Sequence, residues 1–268
     1  MPKLDAYDKS LPYSYALGLF PCHALLDSRP VAARRLLIDE EAAGDGVDKL
    51  RERCRALGIR EEIASKALRR ESRKQNCHAA LVFDKFQDAL CDRSPHVVLH
   101  EVSDAGNLGT ILRTCLGFGM RDIAVIRPAA DVFDPHVIRA SMGAAFALRV
   151  AVYDGFDVYR ATYPHHALYP FMLDGAIPLE QAAREAAQDA AQDTVRDAAL
   201  DTVRDVNRDV AVPYALVFGN EARGLPTEFA GLGRAVVIPH SGAIDSLNVA
   251  VAVGIGVYAF SEINKREI

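Results

Sequence analysis

Short apolar runs, each ending in a polar or glycine-bearing loop, recur along the chain from residue 95 onward. The runs HVVLHEV (96–102), RDIAVIRP (121–128), LRVAVY (148–153), ALYPFMLD (167–174), YALVFG (214–219) and AVVIP (235–239) have the length and β-branched content of strands. Between them lie segments with helical spacing: TILRTCLGFG (110–119), DPHVIRASMGAAFA (134–147) and SLNVAVAVGIGVYAFSEI (246–263). SDAGNLG (103–109) reads as a loop. Strands alternating with helices predict an α/β fold with a mostly parallel sheet covered on both faces. In such sheets ligands sit beyond the carboxyl ends of the strands.

The earlier part patterns as a smaller α/β unit. ARRLLID (33–39), IREEIA (59–64) and HAALVFDKF (78–86) read as strands. VDKLRERCRALG has apolar residues at helical spacing, Val47, Leu50, Cys54 and Leu57, and a C-terminal Gly58. The basic segment KALRRESRK (66–74) is a helix or loop, and QDALCDRSP (87–95) is a linker. The predicted division is residues 1–92, a small domain and linker, and 93–268, a larger domain.

Residues 180–210 break the alternation. Acids recur at every fourth position (Glu185, Asp189, Asp193, Asp197, Asp201, Asp205, Asp209), and DTVRD occurs twice. The segment is alanine-rich and predicted helical, with few large apolar residues to bury, so it reads as a solvated insert without chemistry. It holds 8 acids and 4 arginines, close to the whole chain's net charge of −5. Residues 1–90, by contrast, carry 16 Lys+Arg against 14 Asp+Glu. The overall charge alone therefore argues weakly against nucleic acid as a partner, and the distribution less so. Five scattered cysteines without a CxxC suggest reduced thiols and a cytoplasmic protein. Cys77-His78, His96 and His100 match no familiar ligand spacing, so no metal is expected. No apolar run spans a bilayer, and no signal peptide is expected from residues 1–20.

No GxGxxG follows any strand, so the usual dinucleotide fingerprint is absent. Three other loops each follow a strand: SDAGNLGTILR (103–113), GNEARGLP (219–226) and IPHSGAIDSLNV (238–249). Singly they are capping and turn chemistry; Ser246 read alone is a candidate cap for the last helix. The second raises the sharpest question, because a buried-looking strand empties into one amide, one acid and one base.

Taken together the three resemble the signature motifs of the SpoU (TrmH-like) branch of the SPOUT RNA methyltransferases. The first matches as N-x-G-x-x-x-R at Asn107, Gly109 and Arg113, the second as GNEARGL, the third as the S-L-N core at Ser246–Asn248. RASMGA (139–144) fits a small-residue helix of that family. Residues 14–87 resemble, more weakly, the L30e-like substrate-binding domain that precedes many SpoU domains. The resemblance implies a C-terminal trefoil knot, a homodimer, and S-adenosyl-L-methionine as cofactor. It implies methyl transfer to a ribose 2′-hydroxyl of RNA, ribosomal RNA favoured; the alternatives are transfer RNA and a catalytically silent RNA-binding relative.

The same resemblance suggests site residues. Gly219, Asn220, Ile238, Leu247 and Leu216 would line the cofactor pocket, with Gly219 admitting the backbone close to the ligand. Arg113 matches the family's catalytic position. Arginine keeps its proton, so an electrostatic role fits better than that of a base: gripping phosphate and stabilising a developing 2′-oxyanion. Asn107 would orient Arg113 or the ribose, and Glu221 would hold Asn107 or Arg113 in place; the competing reading of Glu221 is a helix-terminal or surface acid. Ser246 and Asn248 would wall the cofactor from the ribose. From the residues, Arg34, Arg35, Arg69, Arg70 and Arg73 are candidate phosphate contacts. Arg51, Arg53 and Arg55 cannot all share one helix face.

Overall fold

The computed structural model describes residues 6–72, 77–198, 213–241 and 243–266, without the side chains of 70–72, 190–198 and 263–266. Two units emerge, each with its own sheet: 1–88 with 105–113 and 130–149, and 89–104 with 114–129 and 150–268.

The first unit contains β1 (Tyr13–Leu17), α1 (Leu19–Ser28), β2 (Ala33–Ile38), α2 (Asp45–Ala56), β3 (Arg60–Ile63), α3 (Ser65–Ser72) and β4 (Ala79–Asp84). The sheet order is β1-β4-β2-β3, with β4 antiparallel to both neighbours and β3 parallel to β2. The central β4 is buried from Ala79 to Phe83, which explains its unbroken apolar run. In α2, Val47, Leu50 and Cys54 face inward, while Asp45 and Asp48 in the first turn and Arg53 and Arg55 in the last complement the helix dipole. The sequence pattern does not reveal β1 or α1. Ser14 is a buried polar residue inside β1, its hydroxyl donating to the Phe133 carbonyl at 2.5 Å, and Pro21 sits within the first turns of α1.

Two later segments complete this unit: the start of α4 (Ala105–Gly117) and a stretch holding α5 (Pro135–Ala140). The second is fastened firmly. Phe83 packs edge-on against Phe146 at 5.0 Å. Arg29 pairs with Asp88 at 2.9 Å, lies over the Phe86 ring and donates to the Phe146 carbonyl at 3.1 Å. Gly143 has φ 83, and a side chain there would strike Ala24.

The second unit contains β5 (His96–His100), β6 (Asp122–Ile126), β7 (Arg149–Tyr153), α6 (Phe156–Thr162), β8 (Ala167–Pro170), β9 (Ile177–Pro178), α7 (Leu179–Ala198), β10 (Tyr214–Phe218), β11 (Val236–Val237) and α8 (Val249–Arg266). Its main sheet has the order β7-β6-β5-β10-β8, and the β6–β5, β5–β10 and β10–β8 pairs are all parallel. The predicted mostly parallel α/β sheet is therefore present. β10 lies between two neighbours and is buried along its whole length. β9 and β11 form a separate short parallel pair.

Two sequence expectations need correction. SDAGNLG is not all loop: α4 begins at Ala105, so Asn107 and Gly109 lie on its first turns. Gly109 is buried there because a side chain would run into Ala140 and the Val137 carbonyl. Nor is the acidic insert solvated throughout. Ala182, Ala183, Ala186 and Ala187 of α7 are buried, and α7 packs along α8. These four alanines form one stripe of a 3.6-residue period, and their small size permits close approach, so large apolar residues are unnecessary. Arg234 adds ion pairs to Glu185 at 3.5 Å and Asp189 at 2.9 Å. Acids 201, 205 and 209 and the second DTVRD lie outside the described residues. Among the described residues, no helix is long and apolar enough to cross a membrane.

Candidate active site

At the carboxyl end of β10 the chain enters Gly219 and folds back on itself. Asn220 and Gly224 exchange two backbone hydrogen bonds, Asn220 N–H to the Gly224 carbonyl at 3.2 Å and the reverse at 2.9 Å. The Asn220 side-chain oxygen accepts from the Ala222 and Arg223 amides at 2.9 and 3.2 Å. A side chain on Gly219 would collide with the backbone of Gly224 and Leu225. The glycine is thus required by the loop's own closure, a different reason from the ligand approach expected from sequence.

The acid of this loop works as an anchor. The Glu221 carboxylate accepts from the Ser103 amide and hydroxyl, both at 3.2 Å, and from the Asp104 amide at 3.0 Å. These donors immediately precede α4, where backbone N–H groups lack intrahelical partners and negative charge is favoured. Glu221 thus reaches the amino end of α4 from a distant loop. Arg223 pairs with Glu101 at 3.0 Å.

The third motif follows β11. His240 hydrogen-bonds through Nδ1 to the Ile238 carbonyl at 2.9 Å. Asn248, not Ser246, caps α8: its side-chain oxygen accepts from the Ala250 and Val251 amides at 2.9 and 3.3 Å. Ser246 is exposed and carries no cap.

These loops enclose a cavity of about 470 Å³. Of the residues singled out from sequence, Gly219, Asn220, Glu221, Ile238, Ser246 and Leu247 line it. Leu216 and Asn248 do not: Leu216 is buried within β10, and Asn248 is turned to its capping role. Phe171 and Phe218 stack at 4.2 Å and give the cavity an aromatic wall. Gly256 of α8 packs beside both rings. Asp174 and Asp245, both exposed, bring carboxylates to the lining. An apolar wall beside carboxylates suits a ligand that joins a flat heteroaromatic ring to a cationic group.

Asn107 and Arg113 belong to the first unit. Asn107 is half-buried; Arg113 is exposed and forms no ion pair among the described residues. Among the described residues of that unit, Arg29, Arg34, Arg35, Arg51, Arg53, Arg60 and Arg69 do form ion pairs.

A scan against protein-family models matches residues 94–258 to the SpoU rRNA Methylase family. The chain belongs to that family. An uncharacterised tRNA/rRNA methyltransferase of Synechocystis sp. is 31% identical over 185 residues, covering 67% of this chain and 58% of its own. A 23S rRNA adenosine 2′-O-methyltransferase of Streptomyces laurentii is 27% identical over 178 residues, covering 65% of this chain and 56% of its own. This chain thus spans less than two thirds of those relatives' length. Among solved structures, an AdoMet-bound rRNA methyltransferase of Sinorhizobium meliloti superimposes with a TM-score of 0.71 at 26% identity, covering 94% of this chain and 87% of its own.

In this SpoU protein the arginines nominated for RNA are mostly engaged. Arg34 pairs with Asp84 at 2.5 Å, Arg35 with Glu62 at 3.2 Å, and Arg69 with Asp39 at 3.7 Å. The Asp39 carboxyl is held below its ordinary range, first by the Glu41 amide and then by the Ser65 hydroxyl and Arg69. Arg73 and the side chain of Arg70 lie outside the described residues.

Sequence reasoning also missed a buried histidine pair in the second unit. His96 and His166 stack at 4.0 Å, ringed by Tyr159 and Tyr163. His96 bonds to the Tyr159 hydroxyl at 3.0 Å and the Cys91 carbonyl at 2.9 Å. Burial, and then the neighbouring His166, push the His96 pKa down to about 4; burial also lowers His166. His166 follows a weakly patterned turn and gave no signal. His96 was considered only as an unlikely metal ligand.

Proposed function

We propose that this protein transfers a methyl group from S-adenosyl-L-methionine to a ribose 2′-hydroxyl of RNA, with ribosomal RNA the favoured substrate. One observation carries the reading: the second and third SpoU motifs converge on a single cavity at the carboxyl end of a parallel sheet, with an aromatic wall and carboxylates in its lining. When bound, the cofactor supplies a methyl group already activated by sulfonium charge. The chain's task is then positioning and charge stabilisation.

Phe171, Phe218 and Leu247 would hold the adenine, and Asp174 and Asp245 would attract the cationic end. Asn220 and Glu221 maintain the loop that forms one wall, and Ser246, in the lining, would wall the cofactor from the ribose. Arg113, which forms no ion pair among the described residues, would grip an RNA phosphate and stabilise charge growing on the 2′-oxygen, with Asn107 orienting it or the ribose. The exposure of Arg113, with no ion pair among the described residues, supports this role over one in fastening the fold.

The finer reading includes a trefoil knot at the C-terminal end, an L30e-like RNA-binding domain within residues 1–92, and a cytoplasmic homodimer. Support for the dimer comes from α8, whose exposed Val251, Ile255 and Tyr258 recur at helical spacing, with the Phe118 ring 5.6 Å from Tyr258. Nucleoside mass spectrometry of ribosomal and transfer RNA from cells lacking the protein tests the function. Loss of one 2′-O-methylnucleoside from ribosomal RNA is expected. Loss from transfer RNA would move the substrate, and no loss from either would remove the activity.

A further inference from the structure

Glu101 follows β5 directly and was not singled out by any motif. Its φ is 60, in the left-handed region where a residue with a Cβ is disfavoured and where glycine or asparagine would be at less cost. Nothing about a glutamate relieves that backbone locally, so the surroundings must hold it. Three contacts do. Its amide donates to the Ile126 carbonyl at 3.1 Å. Its carbonyl, turned by the left-handed backbone, accepts from the Asn220 side chain at 2.8 Å. Its carboxylate, half-buried, pairs with Arg223 at 3.0 Å.

Asn220 and Arg223 are two corners of the cavity loop, and Asn220 in turn holds the Ala222 and Arg223 amides. Glu101 therefore touches the loop at both ends while standing outside the cavity lining. Glu221 makes a second, separate tether to Ser103 and Asp104. We infer that Glu101 is a positioning residue for the cofactor loop: its left-handed backbone aims one acceptor at Asn220 and a second at Arg223, and together they fix residues 220–224 in the shape that lines the cavity. The inference rests on the proposed cofactor reading. A glycine would satisfy the backbone and keep the carbonyl acceptor, but would leave Arg223 unheld.

The test compares Glu101→Gly, Glu101→Gln, Arg223→Ala and the exchange pair Glu101→Arg with Arg223→Glu. S-adenosylhomocysteine affinity is measured by calorimetry, and the exchange rates of the Ala222 and Arg223 amides by mass spectrometry. Each single variant is expected to weaken binding by about threefold to tenfold. The two amides should exchange faster, and the exchanged pair should recover most of the affinity. Glu101→Gly should melt no earlier than wild type, because it relieves the backbone. A merely structural residue would instead lose melting temperature in step with affinity, and the exchanged pair would not recover. Wild-type affinity and amide protection in Glu101→Gly and Glu101→Gln would overturn the inference. If wild type itself binds no ligand, the cofactor reading fails; faster amide exchange in Glu101→Gln would then still support the latch, and unchanged exchange would overturn it.

Discussion

At its first residue β5 carries His96, fully buried, stacked on His166 and bonded to a tyrosine hydroxyl and a carbonyl. Just past its last residue it carries Glu101, in a left-handed conformation and reaching into a polar loop. The same contrast holds across the sheet. The amino end is closed by His166, Tyr159 and Tyr163; the carboxyl end opens into a cavity whose 219–226 loop hydrogen-bonds to itself and to residues 101–104. Polar residues at the amino end are consumed in packing. Those at the carboxyl end hold backbone in shapes that regular structure would not adopt, which is how a parallel sheet presents a ligand site.

The largest effect is expected at the carboxyl end. Gly219→Val forces a branched side chain into the Gly224–Leu225 backbone, so calorimetry should find cofactor binding abolished while far-ultraviolet circular dichroism remains that of a folded protein. Arg113→Ala should lower turnover about a hundredfold with little change in cofactor affinity, and Arg113→Lys should recover part of it. Near-normal methyl transfer by a folded Arg113→Ala protein would remove Arg113 from the mechanism.

A third test concerns α7. Ala183→Glu places a carboxylate on the face packed against α8 and should cost about 2 kcal/mol in urea unfolding. An unchanged midpoint would return α7 to the solvated insert that its composition suggests.

A fourth test separates the two ends by pH. His96 titrates in the folded state near 4, below its ordinary 6.5, so the unfolded chain binds the proton first as pH falls. Its contribution is complete above about pH 6.5 and declines toward pH 4, at up to about 1.4 kcal/mol per pH unit. His166, also shifted downward, adds in the same direction. The neighbouring Asp122 and Asp92 carboxylates oppose the shift, and burial outweighs them. His96→Phe should flatten the dependence of urea midpoint on pH; an unaltered slope would place the acid sensitivity elsewhere.

What the sequence made legible was periodicity and motif. The buried run of β10, the alternation of strand and helix, and the three motifs could all be read because each is a local pattern. What it hid depends on partners far along the chain. Glu101 looks like an ordinary strand end until Arg223 and Asn220 are placed beside it. Asn248 outcompetes Ser246 as a cap only because α8 starts at Val249. The Ala stripe of α7 lacks large apolar residues, so its burial shows only once α8 is alongside. Gly219 was expected to admit a ligand, yet the atoms a side chain there would meet belong to the protein's own backbone, and at Gly109 they belong to Ala140 and the Val137 carbonyl.

The most direct measurement is a calorimetric titration of S-adenosyl-L-methionine into wild type, Ala252→Phe and His166→Gln. Ala252 lines the cavity, so the phenylalanine fills it; His166 lies at the other end of the sheet. One site per chain is predicted for wild type and for His166→Gln, with binding lost in Ala252→Phe. Undiminished binding in Ala252→Phe, or loss confined to His166→Gln, would contradict the assignment of the cofactor to the carboxyl end.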